Sequence, residues 1–309
     1  MKKPFTITDH LNKKLHAVKW ESDHEPKGVV LIVHGMAEHC ERYSHFANFL
    51  NENGYHAIAY DHRGHGKTDP DQLGIIDDDD CFHLMVKNLN DVYMYVSESF
   101  PELPLVLFGH SMGSFITQRF MQLYDAEPAA LIYSGSNGKP PLMIHAGILT
   151  SALLKTLFGK HAKSNLINNL TFGDYNNHFK PNRTDFDWLS RDTDMVDLCV
   201  DDPLCGFICS NSFYNHLFNC VKKLHSHPKF ADHNPEIPTL LIAGDQDPVS
   251  EMGKGIKNLE KILSKSGVRD VTTHLYEGGR HEMLNEINRD EVFDNFIQWL
   301  NQKLLQSVN

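Results

Sequence analysis

Five short apolar runs set the strongest limit on what this chain can fold into. They are Val29–Val33, Ala57–Tyr60, Leu105–Phe108, Ala129–Tyr133 and Thr239–Ala243. A strand that is apolar at nearly every position has both faces covered, which is the environment of a parallel sheet between two helical layers. Segments with helical spacing lie between and after these runs, at residues 43–53, 83–99, 112–124, 252–266 and 290–306. Strand and helix therefore alternate, and the predicted fold class is α/β with a doubly wound, mostly parallel sheet. Ahead of it, Phe5–Ile7 and Leu15–Trp20 alternate as two strands of an antiparallel hairpin do.

The alternation lapses between residues 136 and 235. Pro140 and Pro141, an amphipathic stretch from Leu142 to Phe158, and the irregular run Asp201–Cys205 replace it. We therefore divide the chain into a core over 1–135 and 236–309 and a cap inserted over 136–235. A chain of 309 residues has room for one large core with such an insertion.

Composition narrows the function classes. Hydrophobic residues make up 41% and charged residues 22%, enough for a packed core. The net charge of −11 repels a phosphate backbone, so nucleic acid is set aside as a partner. Lys2 and Lys3 have no apolar run behind them, unlike a signal peptide, and no stretch is long and apolar enough to span a membrane. Six cysteines scattered through a large chain suit reduced thiols, and a cytoplasmic location is expected.

The chemistry is concentrated where the apolar run Leu105–Phe108 meets Gly109-His110-Ser111-Met112-Gly113, followed by a helix-like segment. Strand, G-x-S-x-G and helix in succession describe a sharp turn that pushes a serine hydroxyl out at the carboxyl edge of the sheet. Glycines flank the serine because neighbouring chains approach too closely for a Cβ. Ser111 is the candidate nucleophile. Its hydroxyl needs an imidazole to take its proton and a carboxylate to hold that imidazole.

Two later runs end at the same sheet edge. Thr239–Ala243 leads into Gly244-Asp245-Gln246-Asp247-Pro248, and Thr272–Tyr276 leads into Glu277-Gly278-Gly279-Arg280-His281. Asp247 is preferred over Asp245 as the acid because it sits inside the turn closed by Pro248. His281 is preferred over His274, which lies within the strand, because two glycines ahead of His281 suggest a mobile, exposed loop. The oxyanion requires two backbone N–H donors. Met112 follows the nucleophile, and Met36 is the candidate for the second, in the loop His34-Gly35-Met36-Ala37-Glu38-His39.

With these residues in view, the chain resembles the monoacylglycerol lipase and lysophospholipase branch of the α/β hydrolases over nearly its whole length. The resemblance rests on His34–His39 with Arg42-Tyr43, on Tyr60–Gly66, on Gly109–Gly113, on Gly244–Asp247 and on Gly279–Glu282. It implies the α/β-hydrolase fold, a Ser111, Asp247 and His281 triad, oxyanion donors at Met36 and Met112, and an acyl chain under the cap. It implies a small-molecule or lipid ester as substrate, and no cofactor or metal. Ser114 stands where the family often has glycine. Trp188–Asp192 with Asp202–Cys205 looks more like bacterial relatives than animal lipases.

The competing readings are a serine aminopeptidase of the same fold, which needs a pocket acid for the substrate amine, and a non-catalytic hydrolase-fold binding protein. Metal sites are disfavoured. Asp77–Asp80 reads as a solvated run, His34, His39, His62, His65 and His110 as parts of loops supporting the serine, and Cys205 and Cys209, at helical spacing near Cys199 and Cys220, as buried thiols. For Leu142–Phe158, packing over the core is preferred to a lid that meets lipid, and Lys155 and Lys160 are too few to make a basic membrane patch.

Overall fold

The computed structural model describes residues 2–139, 144–225 and 234–305. Eight strands form one sheet: β1 (Lys2–Thr8), β2 (Lys14–Trp20), β3 (Gly28–Val33), β4 (Tyr55–Tyr60), β5 (Leu105–His110), β6 (Ala130–Ser134), β7 (Thr239–Gly244) and β8 (Val271–Tyr276). Their spatial order is β1-β2-β4-β3-β5-β6-β7-β8. The first hairpin is antiparallel, β2 joins β4 antiparallel, and every later pair is parallel. This is the doubly wound, mostly parallel α/β architecture that the apolar runs predicted.

The strand interiors are apolar throughout because each face has its own cover. Leu31, Val33, Ile58, Leu107 and Tyr133 enter a core formed with α2 (Cys81–Ser99), α3 (Met112–Leu123) and α8 (Lys254–Lys265). Val30, Ile32, Ala59, Val106 and Phe108 face the opposite way, onto α1 (Ser44–Glu52) and α9 (Arg289–Leu305). Successive Cβ atoms point to opposite faces, so a run without polar residues is the signature of a sheet buried on both sides. On the second face Phe46, Phe108 and Phe296 form an aromatic cluster with ring centroids 5.1–6.2 Å apart.

Between β6 and β7 the chain makes α4 (Ile144–Phe158), α5 (Asn165–Phe172), α6 (Thr193–Asp201) and α7 (Asn211–His225). Residues 140–143, which include Pro140, Pro141, Leu142 and Met143, lie outside the described residues, and the amphipathic stretch is helical from Ile144. Two expectations are corrected in this interval. Cys205 and Cys209 do not share a helix, because Pro203 and the turns after it keep the chain irregular until α7. Preference for packing on α4 holds for only part of it. Ile144, Ser151 and Leu154 are buried, but Leu149, Leu153, Leu157 and Phe158 are 58–72% exposed.

Phe296→Ala is expected to lower unfolding free energy by about 3–5 kcal/mol, measured by urea denaturation, because a fully buried ring leaves a cavity between α1, α9 and the sheet. Phe296 lies on the face away from α3, so the specific activity of the folded protein should stay unchanged.

Candidate active site

Ser111 links β5 to α3 with φ 51° and ψ −121°, a left-handed backbone that a residue with a Cβ adopts only under constraint. The constraint is visible atom by atom. A Cβ on Gly113 would lie 2.0 Å from the Val33 carbonyl oxygen, and one on Gly109 would lie 2.7 Å from that of Gly113. Only glycine lets α3 begin this close to the end of β3. The Ser111 N–H donates to Ser134 O of β6 (2.9 Å), and Ser114 donates from its hydroxyl to Ser111 O (2.6 Å) and accepts from the Ser136 hydroxyl (2.7 Å). Ser114 thus supplies side-chain hydrogen bonds to the turn that a glycine there would lack.

The loop after β3 comes up beside the serine. A Cβ on Gly35 would stand 3.2 Å from Ser111 Cβ, which places the Gly35–Met36 backbone beside Ser111. The loop is pinned by Glu38, whose Oε1 accepts from the Gly35 N–H (2.5 Å) and the Tyr43 hydroxyl (2.9 Å). Met112 is the first residue of α3, where a helix leaves its N–H without an internal partner.

Asp247 and His281 meet at the ends of β7 and β8. Asp247 is fully buried, and its Oδ1 accepts from the Val249 N–H (2.9 Å) and from His281 Nδ1 (3.0 Å). A carboxylate at Nδ1 fixes the proton there, so Nε2 keeps its lone pair for an incoming proton. Asp245 turns elsewhere, with Oδ1 accepting from the Gly278 N–H (2.8 Å). His274 lies within β8, away from this cluster. The His281 ring lies 4.8 Å from that of His110, the neighbour of Ser111, and closely over Gly135, where a Cβ would be 2.8 Å from Cε1.

The expectation of an exposed, mobile histidine loop is corrected: His281 is 2% exposed. Residues 187–192, from the interval between β6 and β7, lie across it. The Glu282 N–H donates to Leu189 O (2.8 Å), Ser190 Oγ donates to Asn285 O (2.8 Å), and Arg280 donates to the carbonyls of Asp187 and Ser190. Buried Glu286 accepts from the backbone N–H groups of Arg191 and Arg280 and from Arg191 Nε. Trp188 lies against the imidazole with ring centroids 5.1 Å apart. The two glycines signal tight turning, not freedom of motion.

A buried charge cluster joins the two loops. Arg42 donates to Glu38 Oε2 (2.9 Å) and, through both Nη atoms, to Glu282 (2.7 and 2.8 Å). One guanidinium therefore ties the Gly35 loop to the residue after His281. Burial alone pushes the His281 pKa down, but the charge and hydrogen bond of Asp247, with Glu282 and Glu38 adding, raise it above the ordinary histidine value. Burial and the neighbouring His281 push His110 down to about 4, so it stays neutral. His34, His62 and His65 form a neutral buried stack, with burial holding each pKa low, and the His62 N–H donates to His34 Nε2 (3.1 Å). The three histidines were expected in loops supporting the serine, whereas the Arg42 cluster was assigned no role from sequence, although Arg42 stood inside a motif.

The family model for serine aminopeptidase, S33, matches residues 24–288. The chain belongs to this family. Within the S33 family it falls in the monoacylglycerol lipase-like branch of the α/β hydrolases. It is 27% identical to the monoglyceride lipase of Rattus norvegicus over 289 residues, covering 92% of this chain and 86% of the relative. It is 28% identical to the monoacylglycerol lipase of Mycolicibacterium smegmatis, covering 91% and 90%. The crystal structure of a thermostable carboxyl esterase from Bacillus coagulans superposes with a TM-score of 0.89 at 28% identity, covering 98% of this chain and 99% of that one.

Two outcomes are expected for activity. Asp247→Asn should lower kcat by about 10⁴-fold, as loss of the tautomer-holding carboxylate does, whereas Asp245→Asn should leave it nearly unchanged. Only neutral His281 can take a proton, so a raised pKa moves the acid limb of kcat/KM upward, above about pH 6.5. Glu282→Gln removes a nearby negative charge and should move that limb to lower pH.

Proposed function

We propose that the protein is a serine carboxylic-ester hydrolase acting on monoacylglycerol, lysophospholipid or similar single-acyl esters. Ser111 Oγ attacks the ester carbonyl, His281 Nε2 takes its proton and returns it to the leaving alcohol, and Asp247 holds His281 and offsets its charge. The N–H groups of Met36 and Met112 hold the oxyanion. Water then repeats the sequence on the acyl-enzyme. The observation that carries this reading is the His281–Asp247 hydrogen bond beside the strained Ser111 turn. The chain is similar to monoglyceride lipases from several organisms over 86–90% of their length.

An aminopeptidase would need an acid free to meet the substrate amine. The carboxylates beside the serine are committed: Glu38 to Gly35, Tyr43 and Arg42, Glu282 to Arg42 and Asn285, and Asp247 to His281. Their arrangement favours the ester reading.

Residues 136–235 act in this proposal as a cap that shelters the acyl chain. Leu149, Leu153 and Leu157 recur every four residues on α4, next to exposed Phe158, and Leu166 and Leu170 of α5 are also more than half exposed. Such a stripe suits transient contact with a lipid surface. Among the described residues, no helix is long and apolar enough to cross a membrane. A cytoplasmic site of action belongs to the proposal, supported by six free, buried cysteines.

Hydrolysis of nitrophenyl esters from acetyl to palmitoyl, of monoacylglycerol and of lysophosphatidylcholine tests the reading. Ser111→Ala should lose at least about 10⁴-fold in kcat on every substrate while remaining folded. Equal rates in the two proteins would overturn the nucleophile. Replacing Leu149, Leu153 and Leu157 with serine should slow hydrolysis of monoacylglycerol in vesicles and spare that of a soluble short ester.

A further inference from the structure

The histidines and cysteines set aside separately in the sequence come together at one point of the fold. His39 follows Glu38 in the loop beside Ser111, and Asp202 and Cys205 share one turn after α6, closed by the Cys205 N–H donating to Asp202 O (3.0 Å). The turn is fastened to the loop by the Gly206 N–H, which donates to Ala37 O (2.9 Å). His39 Nε2 lies 2.8 Å from Asp202 Oδ2. The ligand atoms of His39, Asp202 and Cys205 all lie within 4.8 Å of one another. Cys199, at the end of α6, brings a second thiol into contact with Cys205. His39 is 7% exposed, Cys199 4% and Cys205 9%.

We propose that His39, Asp202 and Cys205, with Cys199 beside them, form a binding site for one zinc-class divalent cation at the seam between the Gly35 loop and the 199–206 segment. The donor set is the reason for the class. Imidazole, thiolate and one carboxylate suit a borderline-soft, tetrahedral ion, whereas calcium and magnesium take oxygen shells. The proton shared by His39 and Asp202 occupies the position the cation takes. Binding displaces that proton, which is released from a doubly protonated His39 or moves to Nδ1 of a neutral one, and it releases one thiol proton for each thiolate formed.

The surroundings favour a cation as well. Arg42 is the nearby positive charge, and it acts on Asp202 and on both thiols. It is already matched by Glu38 and Glu282, so with Asp202 the neighbourhood holds three carboxylates against one guanidinium. The second grouping of this kind among the described residues, His16, Cys40 and Asp61, differs. There Asp61 is occupied as a loop staple, accepting from the Cys40 and Lys67 N–H groups at 2.7 Å each.

This site is independent of the ester-cleaving reading, and its test does not use turnover. Reduced, chelator-treated full-length protein is titrated with Co²⁺ and then Zn²⁺. One equivalent of Co²⁺ should produce a thiolate-to-cobalt charge-transfer band that Zn²⁺ abolishes and Ca²⁺ does not. Cys205→Ser and His39→Gln should each weaken the band and binding at least about tenfold. X-ray absorption of the zinc-loaded wild type supplies a reading that needs no variant, with sulfur expected at about 2.3 Å beside nitrogen or oxygen. A zinc shell without sulfur, no band with Co²⁺, or a band of full strength in both variants would overturn the site.

Discussion

The structure turns on the close approach of α3 to the end of β3. Where the Gly113 Cα sits, no Cβ has room, because the Val33 carbonyl would be 2.0 Å away. That approach forces Ser111 into a left-handed backbone, a strain of order 1–3 kcal/mol that persists only where the surroundings over-determine it. They do so from three directions. β6 accepts the Ser111 N–H, Ser114 binds the Ser111 carbonyl, and Ser136 holds the Ser114 hydroxyl with help from Gln118. The parallel sheet is the source of this rigidity, since β5 lies between β3 and β6 with full pairing on both sides.

The second organising feature is the burial of charge around the serine. Arg42, Glu38, Glu282 and Glu286 would each be costly to bury alone, and each is repaid only by charge-assisted hydrogen bonds in fixed geometry. Their geometry does more than neutralise. Glu38 holds the Gly35 N–H, Arg42 joins Glu38 to Glu282, and Glu286 holds both Arg191 and the Arg280 backbone. The loop from β3, the loop from β8 and the 187–192 segment are thereby locked together by groups that cannot shift singly without stranding a charge.

The core was legible in sequence because its signals are local. A strand buried on both faces writes itself as an unbroken apolar run, as Val29–Val33 does, and the Ser111 turn writes itself as two glycines at fixed spacing. The separation of the two carboxylates after β7 is also local, since that turn directs Asp247 inward to His281 and Asp245 toward Gly278. The burial of His281 was not legible, because its cover comes from Trp188 and Leu189, more than ninety residues earlier in the chain. The Arg42–Glu282 pair spans 240 positions and leaves no periodic trace. The pairing of His39 with the turn at Asp202 and Cys205 is equally remote, so each residue read singly looked structural.

The exposed stripe on α4 constrains how the proposed lipid contact can work. A chain of net charge −11 is repelled by an anionic surface, and the repulsion extends about a Debye length, roughly 8 Å at physiological salt. Lys160, at the end of the helix, is engaged with Asp77. Attraction must therefore come from apolar burial. Leu149, Leu153, Leu157 and Phe158 each stand more than half out of the protein, and a side chain of this size gains about 1.5–3 kcal/mol when fully buried. Partial burial of four such groups is enough for reversible attachment and too little for permanent anchoring. An enzyme that must leave one substrate-depleted surface to find another gains from that balance, and the short-range, salt-insensitive character of the contact follows from its apolar origin.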